Sequence, residues 1–291
     1  MPAHNNKIIL GTVQMGIPYG INNKTGKISE EESHQILKYA YEAGIHTLDT
    51  AEAYGEAHAI IGSFHRENPD IRFKVITKLP HNFKGNIENT VKNYCEVLCV
   101  EQLEAIMFHS YTTFTQHTDS LDELVDLKSQ NLIKLIGVSI YNNNEFEDLL
   151  NYAQIDLIQL PFNLLDNVSQ KGNLLNIARE NNKVIHSRSA FLQGIFFKDI
   201  EDPNPVVQAL KKELQEIHTI ATTENLEISS LALNYCLQIE AIDNVLIGVD
   251  SLNQLIENLT ILGKPISSDS INRINKIVVA DKNLLNPSLW K

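Results

Sequence analysis

Short apolar runs recur along the whole chain, and each is nearly continuous rather than alternating: KIILGTV, HTLDT, FKVITK, LEAIMFH, IKLIGVS, DLIQLPF, KVIHS and NVLIGV. A strand covered on both faces has no polar side to show, so these eight runs predict strands of a buried parallel sheet. The stretches between them carry a different period. In EESHQILKYAYEAG, Ile36, Leu37, Ala40 and Ala43 fall at three- and four-residue intervals and form one apolar stripe, the pattern of an amphipathic helix. Ser29 with Glu32 makes a capping box at its start, and Gly44 supplies the left-handed residue that ends it. Further helices are legible in SLDELVDLKSQN, NEFEDLLNYA, PVVQALKKELQEIHTIA, ISSLALNYCLQI and SLNQLIENLTIL. Eight strand–helix units in succession predict an α/β fold, a closed (β/α)8 TIM barrel, in preference to an open doubly wound sheet. The longer gap between KVIHS and NVLIGV leaves room for an additional helix. No Pro/Ser-rich linker divides the chain, and KDIEDPNP reads as a loop that opens a helix at Pro205, so residues 1–291 are expected to form one domain.

Composition and charge narrow the function. With 24 Lys+Arg against 36 Asp+Glu, the net charge of −12 repels a phosphate backbone, and no nucleic-acid partner is expected. The opening MPAHNNKIILG lacks a basic segment followed by a long apolar one, and no run approaches the roughly 20 apolar residues of a membrane span, which predicts a cytoplasmic protein without a membrane partner. The overall hydrophilic composition fits a monomer. Cys95, Cys99 and Cys236 cannot all pair within one chain and are expected to be buried thiols. No G-x-G-x-x-G follows an early strand and no phosphate-binding P-loop is present, so any nucleotide cofactor has to sit on the barrel itself.

In a (β/α)8 protein the loops after all eight strands converge on one mouth, where chemistry gathers. The second strand end offers Asp49 and, just beyond it in TLDTAEAYG, Tyr54; the third offers Lys78; the fourth offers His109. Each has an ordinary alternative: Asp49 and Lys78 can be a structural ion pair, Tyr54 a packing aromatic, His109 hydrogen-bonded scaffold. Glu52, in the same loop, reads as a loop hydrogen-bonding residue. What separates the four from those alternatives is that they share one layer of the barrel.

Asp49, Tyr54, Lys78 and His109, in LDTAEAYG, TK and FHS, resemble the catalytic tetrad of the aldo-keto reductases. The likeness spans nearly the whole chain and includes LGT at Gly11 and Thr12, GVS at Ser139, QLPFN at Gln159 and the late IGVDSLNQLIENL. It implies reversible hydride transfer between a nicotinamide cofactor and a carbonyl, with Tyr54 as general acid, Lys78 lowering its pKa, Asp49 holding Lys78, and His109 orienting the carbonyl oxygen. Ser139 and Gln159 would bind the nicotinamide carboxamide. At the next strand end, where relatives often stack an aromatic ring on nicotinamide, this chain has Arg188 followed by Ser189; a guanidinium also stacks, and it can equally contact an anionic substrate. Gly248, Ser251, Gln254, Glu257 and Asn258 match the positions that receive the adenosine end of the cofactor. Lys or Arg often stands in relatives where this chain has Gly248 and Gln254, yet some with Gln there take NADPH, and the resemblance is read as NADP(H) in preference to NAD(H).

The substrate is expected to be a small carbonyl or sugar-like compound, held by the loops GIPYGINNKTG and HSYTTFTQHTDS and the tail DKNLLNPSLWK. Tyr19, Tyr111, Phe162 and Trp290 are candidates to line an apolar pocket. Two other accounts stand beside the reductase: a barrel that holds NADP(H) and reports redox state to a protein partner, and a lyase or aldolase using Lys78 as a Schiff base.

Overall fold

All eight apolar runs become strands of one sheet, and the sheet closes on itself in chain order. In the computed structural model these are β1 (Ile8–Gly11), β2 (Thr47–Asp49), β3 (Lys74–Leu79), β4 (Leu103–Phe108), β5 (Ile133–Ser139), β6 (Leu157–Pro161), β7 (Val184–Arg188) and β8 (Asn244–Gly248). Every pairing is parallel, and β1 closes the ring against β8 through Gly11 and Gly248. The structure describes residues 7–20, 23 and 26–290. Positions 1–6 of the opening stretch, four positions of GIPYGINNKTG (21, 22, 24 and 25) and Lys291 of the tail lie outside the described residues.

The barrel interior explains where the polar strand-end residues point. Ile9, Ile76, Ala105, Met107 and Leu157 pack together inside the ring. Side chains two residues apart on a strand share a face, so the next inward positions are Gly11, Lys78, His109 and Gln159. All four line one cavity at the carboxyl end of the strands. Gly137 on β5 obeys the same alternation: a Cβ there would meet Met107 Cγ at 2.9 Å and the Leu157 carbonyl at 3.0 Å, so only glycine leaves the packed layer intact. The opposite faces of the strands, with Leu10, Leu48, Val75 and Ile106, join the apolar stripes of the helices in the larger core.

The helix Glu30–Glu42 buries Ile36, Leu37 and Ala40, and Ser29 Oγ accepts from the Glu32 backbone N–H as expected. The other half of the capping box is not made: Glu32 Oε1 instead accepts from Leu252 N at 3.3 Å, capping the helix that follows β8. Gly44 takes φ +92°, as a helix-ending residue should. PVVQALKKELQEIHTIA is two helices, Pro205–Ala209 and Lys211–Glu224, which meet at Leu210 (φ −101°, ψ 11°). These fill the long gap ahead of Ile228–Gln238. Cys95 and Cys236 are buried free thiols; Cys99, at the left-handed end of the helix Ile87–Leu98, is only partly buried. Among the described residues no helix is long and apolar enough to cross a membrane, and no group of three or more His, Cys, Asp and Glu side chains is placed to hold a metal.

Candidate active site

Asp49 ends β2 with its carboxylate turned into the barrel, where burial of an unpaired charge would be costly. Two side-chain donors reach it. Lys78 Nζ lies 2.5 Å from Asp49 Oδ1 and also donates to the Thr50 carbonyl at 2.9 Å, and Gln159 Nε2 donates to Asp49 Oδ2 at 2.8 Å. Both Asp49 and Lys78 are 1% exposed, so the pair is a true buried ion pair. Burial lowers the Lys78 ammonium from its usual range, and the Asp49 carboxylate opposes that shift. Thr12 closes the base of the group by donating its Oγ1 to the Asp49 carbonyl at 3.1 Å.

Tyr54 reaches the same place from the loop after β2. The loop is seated on bare backbone: a Cβ on Gly16 would fall 1.6 Å from the Tyr54 carbonyl, and Gly55 turns the chain at φ +54°. Lys78 Nζ lies 5.3 Å from the centre of the Tyr54 ring, and the Tyr54 and His109 rings meet edge to face at 5.7 Å. The phenol is not acidified in this arrangement. Burial, and after it the Asp49 carboxylate, push its pKa well above that of a free tyrosine. His109 is pulled the other way, down to about 3, first by burial and then by Lys78, His81 and Arg188. At neutral pH the site therefore holds a protonated phenol and a neutral imidazole. His81 stacks on His109 at 4.6 Å, a contact with no signal in the sequence pattern. Glu52 takes no part and instead accepts a hydrogen bond from Tyr94 Oη.

Asp49, Tyr54, Lys78 and His109 line a cavity of about 380 Å³. Of the residues singled out in the sequence, Gly11, Thr12, Ser139, Gln159, Arg188, Ser189, Gly248, Gln254 and Tyr19 also line it. Ser251, Glu257 and Asn258 do not, although Ser251 caps the helix Leu252–Thr260 by accepting from Gln254 N. The Gln254 side chain is occupied as well, its Oε1 accepting from Asp250 N at 2.6 Å. Three substrate candidates lie outside the cavity lining. Phe162 follows the inward Pro161 and so faces outward; it is fully buried and stacks on Tyr235 with ring centres 5.6 Å apart. Tyr111 donates its hydroxyl to Asp148 at 2.8 Å, and Trp290 donates Nε1 to the Leu284 carbonyl at 3.3 Å; both are loop anchors. In their place the cavity is lined by Gln14, Tyr141, Asp250, Phe191 and Phe197. Periodicity does not mark these residues, since all lie in loops or short turns beyond the strands.

The lining suits a nicotinamide dinucleotide. Gln14 is 8% exposed and its Oε1 has no hydrogen-bond partner, an orphaned acceptor in the wall of the cavity. Gly248 faces it: a Cβ there would fall 2.8 Å from Gln14 Nε2, so the glycine holds open a polar niche. At the other side, Gln159 gives its amide N–H to Asp49 and keeps its carbonyl oxygen for a further donor.

A closed parallel barrel whose mouth gathers a phenol, a buried ammonium–carboxylate pair and a neutral imidazole defines the class of (β/α)8 oxidoreductases. The chain belongs to the aldo/keto reductase family, whose model matches residues 7–279. Among curated proteins it is 25% identical to an NADH-specific methylglyoxal reductase of Escherichia coli, over 81% of this chain and 84% of that one. It is likewise 25% identical to a D-arabinose 1-dehydrogenase of Saccharomyces cerevisiae, over 69% of this chain but only 63% of the yeast protein's length. Among solved structures, an aldo-keto reductase of Bacillus halodurans in its holo form superposes with a TM-score of 0.77 at 18% identity, covering 94% and 93% of the two chains. The glycerol dehydrogenase of Gluconobacter oxydans gives 0.74 at 20% identity, covering 93% and 90%. At such identities these two likenesses speak for the fold alone.

Proposed function

We propose that this chain reduces a small aldehyde, ketone or sugar-like carbonyl to the alcohol, using NAD(H), with Tyr54 as the proton donor. The observation that carries the reading is the meeting of Tyr54, Lys78 with Asp49, and His109 in one cavity at the mouth of the barrel. A reduced nicotinamide, when bound, supplies the hydride. Everything else falls to the protein. His109, neutral at working pH, donates one ring N–H to the carbonyl oxygen and stabilises the negative charge that gathers there. Tyr54 retains its proton until that oxygen becomes an alkoxide, a stronger base than a phenolate, and then transfers it. Lys78, held by Asp49 and the Thr50 carbonyl, stands beside the phenolate so formed. Ser139 and the free carbonyl oxygen of Gln159 would hold the carboxamide of the nicotinamide, and the Gln14–Gly248 niche would meet polar groups further along the dinucleotide. Residues 1–291 are read as one domain built on this barrel.

The preference for NAD(H) departs from the NADP(H) expected from the resemblance. A 2′-phosphate is held most strongly by a cation, and among the described residues of the cavity lining the only Lys and Arg are Lys78 and Arg188, both at the reacting end. The adenosine end offers Gly248, Gln254 and the Asp250 carboxylate instead, and a carboxylate accepts from a ribose hydroxyl but repels phosphate. The NADH-specific relative in E. coli is in keeping with this. Fluorescence titration with both reduced cofactors, followed by an aldehyde and sugar panel read by loss of nicotinamide absorbance, tests the proposal. NADH is expected to bind at least about 10-fold more tightly than NADPH, a difference of about 1.4 kcal/mol. Tighter binding of NADPH would reverse the cofactor assignment, and failure to bind either would remove the function.

A further inference from the structure

The charges of the cavity do not cancel at its reacting end. Lys78 is matched by Asp49 at 2.5 Å, whereas Arg188, at the carboxyl end of β7, forms no ion pair with any described carboxylate. In a chain of net charge −12, an unmatched, half-buried guanidinium in the mouth of the barrel is a specific feature. It is also held still. Its Cζ lies 4.3 Å from the centre of the Tyr141 ring, Nη2 donates to the Ile140 carbonyl at 2.9 Å, and Nη1 donates weakly to Ser189 Oγ at 3.4 Å. A guanidinium has five N–H donors, so these two bonds leave the larger part of the fork without a partner among the described residues.

The direction in which it leans matters. Ile140 and Tyr141 follow β5, so Arg188 reaches from β7 across the end of β6, away from β8 and the Asp250 and Gln254 side of the cavity. Its field is felt at Tyr54, Lys78 and His109, the groups that handle the carbonyl. The planar fork matches the paired oxygens of a carboxylate or phosphate, and ring stacking together with backbone anchoring pre-orients it at little entropic cost on binding.

We infer that Arg188 binds an anionic group of the substrate, so that the compound reduced is a carbonyl compound carrying a carboxylate or a phosphate. This rests on the oxidoreductase reading above and specifies its substrate class. The competing role, a guanidinium stacked on the nicotinamide, makes a different prediction. Matched pairs separate them: 4-oxobutanoate against butanal, and glyceraldehyde 3-phosphate against glyceraldehyde, with kcat/KM measured for wild type, Arg188→Met and Arg188→Lys, and folding verified by circular dichroism. Wild type is expected to favour the anionic member of at least one pair by about 10- to 100-fold, the range of a hydrogen bond to a charged group; the pair that shows it names the anion. Arg188→Met is expected to abolish the preference, and Arg188→Lys, which keeps the charge without the fork, to retain part of it. The NADH dissociation constant of Arg188→Met is expected to stay within about threefold of wild type. A wild type indifferent to the charge, or an Arg188→Met variant that loses neutral and anionic substrates equally while NADH binding weakens, would overturn the inference in favour of nicotinamide packing. Succinate and inorganic phosphate, titrated calorimetrically, keep the two claims apart. If no carbonyl compound is reduced, the oxidoreductase reading fails, while binding of either anion that disappears in Arg188→Met upholds the anion site and binding that persists refutes it.

Discussion

Replacing Tyr54 by Phe removes one oxygen atom, and the surroundings of that atom allow its roles to be separated. The hydroxyl makes no hydrogen bond to a described residue, while the ring packs against His109 at 5.7 Å and beneath Lys78 at 5.3 Å. Tyr54→Phe keeps the ring, so stability is expected to stay within about 0.5 kcal/mol of wild type. A positioned general acid contributes about 100- to 10,000-fold, which at 1.36 kcal/mol per decade is about 2.7–5.5 kcal/mol of barrier. The assay is a single-turnover measurement of nicotinamide oxidation at saturating aldehyde, alongside NADH binding by fluorescence and thermal melting. Loss confined to the chemical step, with binding and melting temperature preserved, is the expected outcome. Because burial raises the phenol's pKa, the wild-type reduction rate should also stay level from pH 7 to about pH 9.5 where an acidified tyrosine would already be losing its proton. Turnover within tenfold of wild type in the variant, or a rate that falls with a midpoint near pH 8, would refute the proton-transfer role as described.

Two further outcomes follow from the buried charges. Asp49→Asn leaves the Lys78 ammonium without its anion at 1% exposure, and truncating one member of a buried pair typically costs about 3–5 kcal/mol; the melting temperature should fall by more than about 5 °C, and a change of under a degree would mean that the pair carries no such weight. His109, half-buried and held down to about 3, and the buried His58 and His186, each held down to about 4, are neutral in the folded chain, so the unfolded chain binds more protons than the folded one below the ordinary histidine value of 6.5. Their contribution to stability is complete above pH 6.5 and is lost as pH falls toward 4, by up to about 1.4 kcal/mol per group per pH unit; urea melts at pH 7, 6, 5 and 4 measure it, and stability that is flat or rising over that interval would contradict it.

The histidines also show where sequence reading stops. His109 is visible at a strand end because the apolar run LEAIMF ends just before it, whereas His186 sits inside KVIHS and looks like a strand residue of no special kind. Burial, and after it Lys78 of β3, lowers both pKa values. Likewise Tyr111 and Trp290 resemble Tyr19 in composition and loop position, yet Tyr111 is tied to Asp148 and Trp290 to Leu284, and only Tyr19 lines the cavity. Glu32 has the right spacing for a capping box, but a backbone N–H of the helix after β8, more than two hundred residues away, takes its carboxylate.

By itself the sequence determined the closed eight-stranded barrel and the inward strand-end layer of Asp49, Lys78 and His109, since unbroken apolar runs, helical stripes and a period of two are local properties of the chain. Phe162 was decidable on the same ground, being one residue out of phase with Gln159. Tertiary structure alone decided that Lys78 is committed to Asp49, that burial keeps Tyr54 a protonated phenol, that Gly16 forms the seat of the Tyr54 loop, and that Arg188 meets Tyr141 but no described carboxylate. Each of these depends on the distance between groups far apart in the chain, and Coulomb energy, burial and steric contact are functions of that distance, which no spacing in the sequence encodes.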